Sequence, residues 1–409
     1  MTTAERTGPL KGMRVLDLSH VMAGPVCGLM LADMGAEVIK IEKLDGGDDT
    51  RRMLPPDING EPAAFMMMNR NKRGLALDLK HPQGKEVLKR LVAKADVLIE
   101  NYRRGTMEKL GLGYETLKAI NPGLIYCEIS GFGRTGPFAD QGGFDLVAQG
   151  MSGLMSITGE GPGRAPVKVG APVTDITAGI LAAMGVCAAY AHKLKTGEGQ
   201  KVDTSLFEAG ITHTYWQSAI AFATGVSPGP LGSAHPLSAP YQAFETKDGW
   251  LNLGASNQRT WLKLLDLLDD PELAADPRFK DNAGRMANLP ALVEILTRHF
   301  KKRTTAEWLA LLEKAGVPAG PVLSIREMHA HPQTIAREMV PEVEHPVAGK
   351  VQTIGLPVKF SKTPGKVAAP APLFGQHTRE ILAEIGYSEA EIEQLIADRA
   401  VSTPDQRAA

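Results

Sequence analysis

The first 130 residues alternate between two hydrophobic periods. Short runs rich in β-branched residues stand at 13–19 (MRVLDLS), 36–42 (AEVIKIE), 75–79, 96–101 and 124–130, and they read as strands. Between them, 25–34 (opened by Pro25), 85–94 and 114–120 carry helical spacing. This alternation predicts an α/β fold with a parallel sheet and helices on its faces. Ligands of such sheets bind outside the carboxyl ends of the strands. Residues 19–23, 42–43, 101–104 and 130–134 are therefore expected around one crevice.

Further along, a Gly/Pro-rich loop at 159–172 precedes an apolar helix from 176 to about 194. A turn at 196–200 (TGEGQ), a strand at 201–205 and one helix at 207–224 follow. Residues 226–240, rich in proline, read as a linker. Beyond it, a strand at 250–254 and amphipathic helices at 260–268, 289–300 and 305–315 form a smaller unit closing near 316–321. The tail returns to strands around 343–358, then a Pro-rich stretch and two helices.

A chain of 409 residues exceeds one ordinary domain, and 43% hydrophobic content is enough for a substantial core. The formal charge of −1 gives no sign of a nucleic-acid or membrane partner. Cys27, Cys127 and Cys187 show neither CxxC nor zinc spacing and read as buried thiols in a reducing compartment. The N-terminus lacks the apolar core of a signal peptide, and the longest uncharged apolar run, 176–190, is shorter than the roughly 20 residues a membrane span needs. A cytoplasmic protein is expected.

The first strand–helix turn, SHVMAGP, lacks the dinucleotide pattern G-x-G-x-x-G, since only Gly24 and Gly28 are present and Pro25 interrupts it. The crevice still suits an elongated phosphorylated ligand, with helix N-termini and Lys43, Arg51, Arg103, Arg104 and Lys109 nearby; the plainer reading is a solvated basic face. Asp175, at the head of the apolar helix, reads as an N-cap. The same place keeps a carboxylate ionised, and an ionised carboxylate facing a cleft is a competent nucleophile towards an activated acyl group. Asp145, in GGFDLVAQ, reads as the cap of the helix that follows it. Residues 254–258 (GASNQ) read as a capping turn, or as a small-residue lid over a substrate. His235 is a loop histidine without an assigned role. No Ser-His-Asp set, P-loop or metal-ligand cluster is evident.

LDLSHVMAGP (16–25), GAEVIKIE (35–42), GDDTR (47–51), NRNKRGLALDL (69–79), IENYRRG (99–105), SGFGRTGPF (130–138), TGEGQKVD (196–203) and GQHT (375–378) together resemble the class III coenzyme A transferases, the family of formyl-CoA and carnitine CoA-transferases. The resemblance runs from about 10 to 401. It implies a Rossmann-like large domain made of 8–225 and 326–409, a smaller α/β domain at 226–325, and an interlocked homodimer. No metal or permanent cofactor is implied; coenzyme A and acyl-CoA are substrates. The family's catalytic aspartate matches Asp175, which would form an acyl anhydride and then an aspartyl–CoA thioester. Its CoA contacts match His20, Val21, Met22, Ala23, Lys43, Leu77, Asp78, Leu79, Lys80, Asn101, Tyr102, Arg103, Lys109, Ser130, Gly131, Phe132 and Gly133. Its substrate loop matches Gly254, Ala255, Ser256, Asn257 and Gln258. Related α-methylacyl-CoA racemases need a histidine directly before the aspartate matching Asp145, where this chain has Phe144. The runs 232–250 and 69–74 look most like enzymes that move CoA between short dicarboxylic acids, such as succinyl-CoA with glutarate, citramalate or mesaconate. Formyl-CoA:oxalate exchange is the next candidate. Arg51, Arg73 or Arg164 is expected to hold a substrate carboxylate.

Overall fold

The computed structural model describes residues 6–404. These divide into two compact units, one formed by the chain up to 152, 169–213 and from 332 onward, the other by 153–168 and 214–331. The expected limits at 225/226 and 325/326 thus both fall inside the second unit, which also takes in 153–168.

In the larger unit the chain runs β1 (Arg14–Asp17), α1 (Ala23–Asp33), β2 (Glu37–Glu42), β3 (Lys72–Leu77), α2 (Pro82–Val92), β4 (Val97–Glu100), α3 (Tyr114–Ile120) and β5 (Ile125–Ser130). It continues through α4 (Asp145–Met151), α5 (Val173–Thr196), β6 (Lys201–Ser205) and α6 (Leu206–Thr212). The sheet order is β3-β2-β1-β4-β5-β6 with every pair parallel, and a terminal strand, Val401–Ser402, lies antiparallel on β3. This is the mixed α/β, parallel-dominated sheet that the alternating periods predict. Neighbouring residues point to opposite faces: Leu16, Ile39 and Leu98 enter one core, Val15, Val38 and Val97 the other. Burial on both faces explains why β1, β2, β4 and β5 read as runs rich in apolar residues, whereas the edge strand β6 stays partly exposed.

Three expectations need correction. β3 begins at Lys72, not at 75, because its two leading cations are buried and paired: Lys72 Nζ lies 2.8 Å from Asp17, and Arg73 lies 2.8 Å from both Glu37 and Glu384. The single helix expected at 207–224 is two helices, α6 and Tyr215–Thr224, which belong to different units. The apolar period carries across the break and hides it. Asp175 is not an N-cap. It is the third residue of α5, after Val173 and Thr174.

With 24 residues, α5 is by length and composition apolar enough to cross a membrane. Its small face (Ala178, Gly179, Ala182, Ala183, Val186) is nonetheless buried in the core shared with α1 and the sheet. Gly179 is required for this approach, since a Cβ there would stand 2.5 Å from the carbonyl oxygen of Ala23.

The second unit carries a three-stranded antiparallel sheet, Tyr241–Glu245, Trp250–Gly254 and Ala319–Pro321. Helices Gln258–Leu268, Leu289–Phe300 and Thr305–Ala315 pack their apolar faces around Phe244, Trp261, Phe300 and Trp308.

Candidate active site

The strand order reverses between β1 and β4, and a cavity of about 380 Å³ opens at the carboxyl ends there. The first turn (His20, Val21, Met22, Ala23), Asn101, Tyr102 and Arg103 after β4, and Ser130 and Gly131 at the end of β5 all line it. Asp175, early in α5, stands on the same wall. Sequence stretches separated by up to 155 residues, from His20 to Asp175, thus meet at one place.

Asp175 is half-buried, and among the described residues no hydrogen bond reaches its carboxylate. Burial, and then the nearby negative Asp145, push its pKa up to about 6. Asp145 takes over the capping role. Its Oδ1 accepts from Thr174 N–H (3.0 Å) and Thr174 Oγ1 (2.8 Å), and its Oδ2 accepts from Gln149 Nε2 at 2.8 Å. Asp145 therefore caps α5, not the helix that follows it, where it is the first residue after an N-cap at Phe144. The Phe144 ring is 75% exposed on the cavity wall and offers no proton to move.

His20 Nδ1 is buried without a partner and its ring tilts against Tyr102. Burial, then Lys40, lower its pKa and keep it neutral. Arg134 also lines the cavity, held by Glu100 at 3.0 Å and Glu128 at 3.2 Å. Burial pushes the Glu100 pKa up to about 7 against the pull of Arg134. Gly131 and Gly143 cross backbone to backbone on the wall, where a Cβ on either would meet the other's Cα within 2.5 Å.

Other expected contacts lie off the wall. Lys43 is paired with Asp49 at 2.8 Å, and Asp49 itself lines the cavity. Leu77 ends β3 in the core, and Leu79 packs against it. Asp78 accepts from Lys80 N–H at 2.8 Å, and Lys109 is exposed. Phe132 packs on Phe138 and Phe207, while Gly133 N–H donates to Ser130 Oγ. Residues 254–258 belong to the second unit and are tied down there. Gly254 N–H and Ala255 N–H donate to Pro318 and Pro240, Ser256 O accepts from Arg285, Asn257 caps Gln258–Leu268, and Gln258 bonds Lys280 and Arg285.

The arginines expected for a substrate carboxylate are occupied. Arg51 is fully buried against Glu42 at 2.7 and 2.8 Å, and Arg73 is paired as described above. Arg164 is exposed in the second unit, 3.9 Å from Glu160. On the cavity wall stand Arg103, Arg104 and Arg134 instead, and among the described residues Arg103 has no ion-pair partner. Arg134 falls in the 130–134 stretch expected at the crevice, whereas Asp49 and Gly143 carry no contact expectation from the sequence, although Asp49 sits inside the GDDTR motif.

The sequence model of CoA-transferase family III matches residues 10–378. A succinyl-CoA:glutarate CoA-transferase of Mus musculus is 41% identical over 95% of this chain and 89% of its own length. A succinate–glutarate CoA-transferase of Agrobacterium fabrum is 41% identical over 93% of this chain and 96% of its own. The crystal structure of a CAIB/BAIF family protein from Brucella suis superposes with a TM-score of 0.83 at 40% identity, covering 93% of this chain and all of that one.

Proposed function

The chain belongs to CoA-transferase family III, and from that premise we propose that it moves CoA from a short acyl-CoA, succinyl-CoA foremost, to a small dicarboxylic acid, with Asp175 as the covalent nucleophile. The observation that carries this reading is the half-buried Asp175 carboxylate on one cavity wall with the first turn, Asn101 and Ser130. The names of the similar transferases support dicarboxylates as acids.

In the proposed sequence, an Asp175 oxygen attacks the thioester carbonyl. The C–S bond breaks, giving an acyl–aspartyl anhydride and CoA thiolate. The thiolate attacks the aspartyl carbonyl, releases the donor acid and leaves an aspartyl–CoA thioester. The acceptor carboxylate then displaces the thiolate, which collects the acceptor acyl group and frees Asp175. Atoms and charge balance without a cofactor. Partial burial makes the carboxylate less solvated and so more reactive, and it limits the water that would hydrolyse the anhydride.

CoA is proposed to lie along the first turn, Asn101, Tyr102, Arg103, Ser130 and Gly131, with Lys43, Leu77, Asp78, Leu79, Lys80, Lys109, Phe132 and Gly133 as contacts beyond the wall. Residues 254–258 are kept as the substrate loop. Arg103, free of an ion-pair partner among the described residues, is the candidate for an anionic group. The large unit is read as Rossmann-like, with β3-β2-β1-β4-β5-β6 supporting that reading. The protein is proposed to be a cytoplasmic, interlocked homodimer.

Wild type and Asp175→Ala, given succinyl-, acetyl- or formyl-CoA with a panel of acids including glutarate and oxalate, test the proposal by mass spectrometry of new thioesters. New thioesters from the wild type alone support it and name the acids. Equal product from the variant removes Asp175 as nucleophile, and α-deuterium uptake without CoA exchange would assign a racemase despite Phe144.

A further inference from the structure

Val21, in the middle of the first turn, has φ +68°, a left-handed conformation that β-branched residues rarely adopt. Met22 N–H donates back to His20 O at 3.1 Å, so the chain doubles around Val21 in a three-residue turn whose positive-φ form is the strained one. The strain sits on the cavity wall itself. Strained backbone persists only where its surroundings over-determine it.

Two side chains hold the turn. Asn101 clamps His20 from both sides, its Oδ1 accepting from His20 N–H at 2.9 Å and its Nδ2 donating to His20 O at 2.8 Å. Asp48 Oδ1 accepts the Val21 N–H at 3.2 Å. Asp48 is wholly buried and fixed on every side: Oδ1 also takes Thr50 N–H and Oγ1, its own N–H donates to Glu42, and Oδ2 lies 2.8 Å from Lys40 Nζ. Lys40 is equally buried and donates to Ser19 O, one residue ahead of the turn. Behind it, Ser19 bonds Asp17, and Asp17 pairs with Lys72 at 2.8 Å.

These buried charges alternate in sign through the carboxyl ends of β1 and β2. Burial opposes the charge on Asp48, and Lys40 overcomes it and holds the pKa below the ordinary carboxylate range. Burial likewise opposes the charge on Lys40, and Asp17 and Asp48 restore it. Well-packed apolar residues stabilise a core at least as well as buried ion pairs do. What these pairs add is position, and the atom they position is an oxygen on the amide of the strained residue.

We infer that Asp48, backed by Lys40, is a positioning residue that holds Val21 in its left-handed conformation, so that the first turn presents its ligand-binding shape before coenzyme A arrives. The inference rests on the proposal that this turn binds CoA. Asp48→Asn is close to isosteric but leaves one carboxylate-type oxygen where two are used. Lys40 and the Val21 N–H then compete for it, and an amide N–H faces the loser. Val21→Gly supplies a residue that takes φ +68° without strain, so the need for Asp48 disappears.

The experiment is a double-mutant cycle read as the dissociation constant for CoA by calorimetry, with kcat and KM alongside. Asp48→Asn is expected to weaken CoA binding by about tenfold, equal to about 1.4 kcal/mol, with kcat little changed. In the Val21→Gly background the same substitution is expected to cost less than about threefold, whatever Val21→Gly does by itself. Hydrogen exchange of the Val21 amide in the unliganded protein is expected to quicken in Asp48→Asn. Equal losses in both backgrounds, with Val21 exchange unchanged, would overturn the inference. Should Asp48→Asn not fold, Thr50→Val removes one donor to Asp48 Oδ1, and a smaller loss that vanishes in the Val21→Gly background is the expected result. Met22→Glu separates the two readings. If a carboxylate at this wall leaves CoA binding intact, the CoA assignment of the turn fails, and Val21 exchange still decides the role of Asp48.

Discussion

As the proposed nucleophile, Asp175 would work only as the anion, and its charge is held at a cost. With burial and Asp145 placing its pKa at about 6, kcat/KM should be level above that pH and fall towards tenfold per unit below it. Asp145→Asn keeps an oxygen to accept from Thr174 but loses the charge, so the inflection should move down while burial keeps it above the ordinary aspartate value. An inflection unmoved in a pH–rate profile would show that Asp145 acts only as a cap. The sign for stability is opposite. The pKa is higher folded than unfolded, so the folded state gains stability as pH falls through about 6, and at neutral pH the ionised carboxylate is a liability. Asp175→Asn should therefore lower activity by at least about a thousandfold while raising the melting temperature by about 1 °C or more. A melting temperature that drops would mean the carboxylate is stabilised by something other than its present surroundings. At this scale Asp175 was legible as a carboxylate at a helix start, and Phe144 as a missing proton carrier. The exchange of roles between Asp175 and Asp145 was not. Capping of Thr174 from 29 residues away depends on how α4 meets α5, which no local pattern encodes. Arg51 and Arg73 are taken by carboxylates that no motif marks: Arg51, in the turn after β2, folds back onto Glu42, and Arg73 meets Glu37 across β3 and β2.

Elements were easier to read than their ends. The strands of the sheet stood out because both faces are buried, whereas Lys72 and Arg73 disguised the start of β3 until Asp17, Glu37 and Glu384 were seen to neutralise them. The break after α6 is invisible to a period count for the reason that both halves are apolar on the same spacing. The contact between α1 and α5 carries the clearest mechanical consequence, because one helix opens from the first turn and the other bears Asp175. Gly179→Ala would set a methyl 2.5 Å from Ala23 O and 2.8 Å from Val26, atoms of backbone and packed side chain that must move. A loss of about 1–3 kcal/mol in urea unfolding is expected, with a raised KM for acyl-CoA as the start of α1 shifts. Unchanged stability would show that the two helices separate freely, and a fixed geometry between the first turn and Asp175 would no longer hold.

For the whole molecule, the apolar surface is the telling feature. On the larger unit Ile180, Met184 and Leu194 of α5 are 47%, 63% and 70% exposed, and Leu146, Val147 and Met151 of α4 are also exposed. Monomeric proteins rarely leave large apolar patches in water, so a second copy of the chain is the economical cover, in keeping with the proposed homodimer. The discontinuous makeup of both units, in which 153–168 joins 214–331 and the tail from 332 returns to the first, was not legible from periodicity, which reports neighbours in sequence and not in space. Interlocking makes a sharper demand than association. Two linked chains separate only if one of them opens, so subunit exchange must run at the rate of unfolding and not at the rate set by interface area. Differently tagged homodimers, mixed in native buffer and followed by native mass spectrometry, should remain homodimers for days, and should scramble only after passage through denaturant. Mixed dimers within minutes would leave the apolar patches as an ordinary interface and remove the interlock. A Met184→Glu variant adds the complementary result: if the proposed interlocked dimer covers this exposed α5 face, the added charge should lower the yield of folded dimer without producing a stable monomer, because for linked chains the interface forms as part of folding.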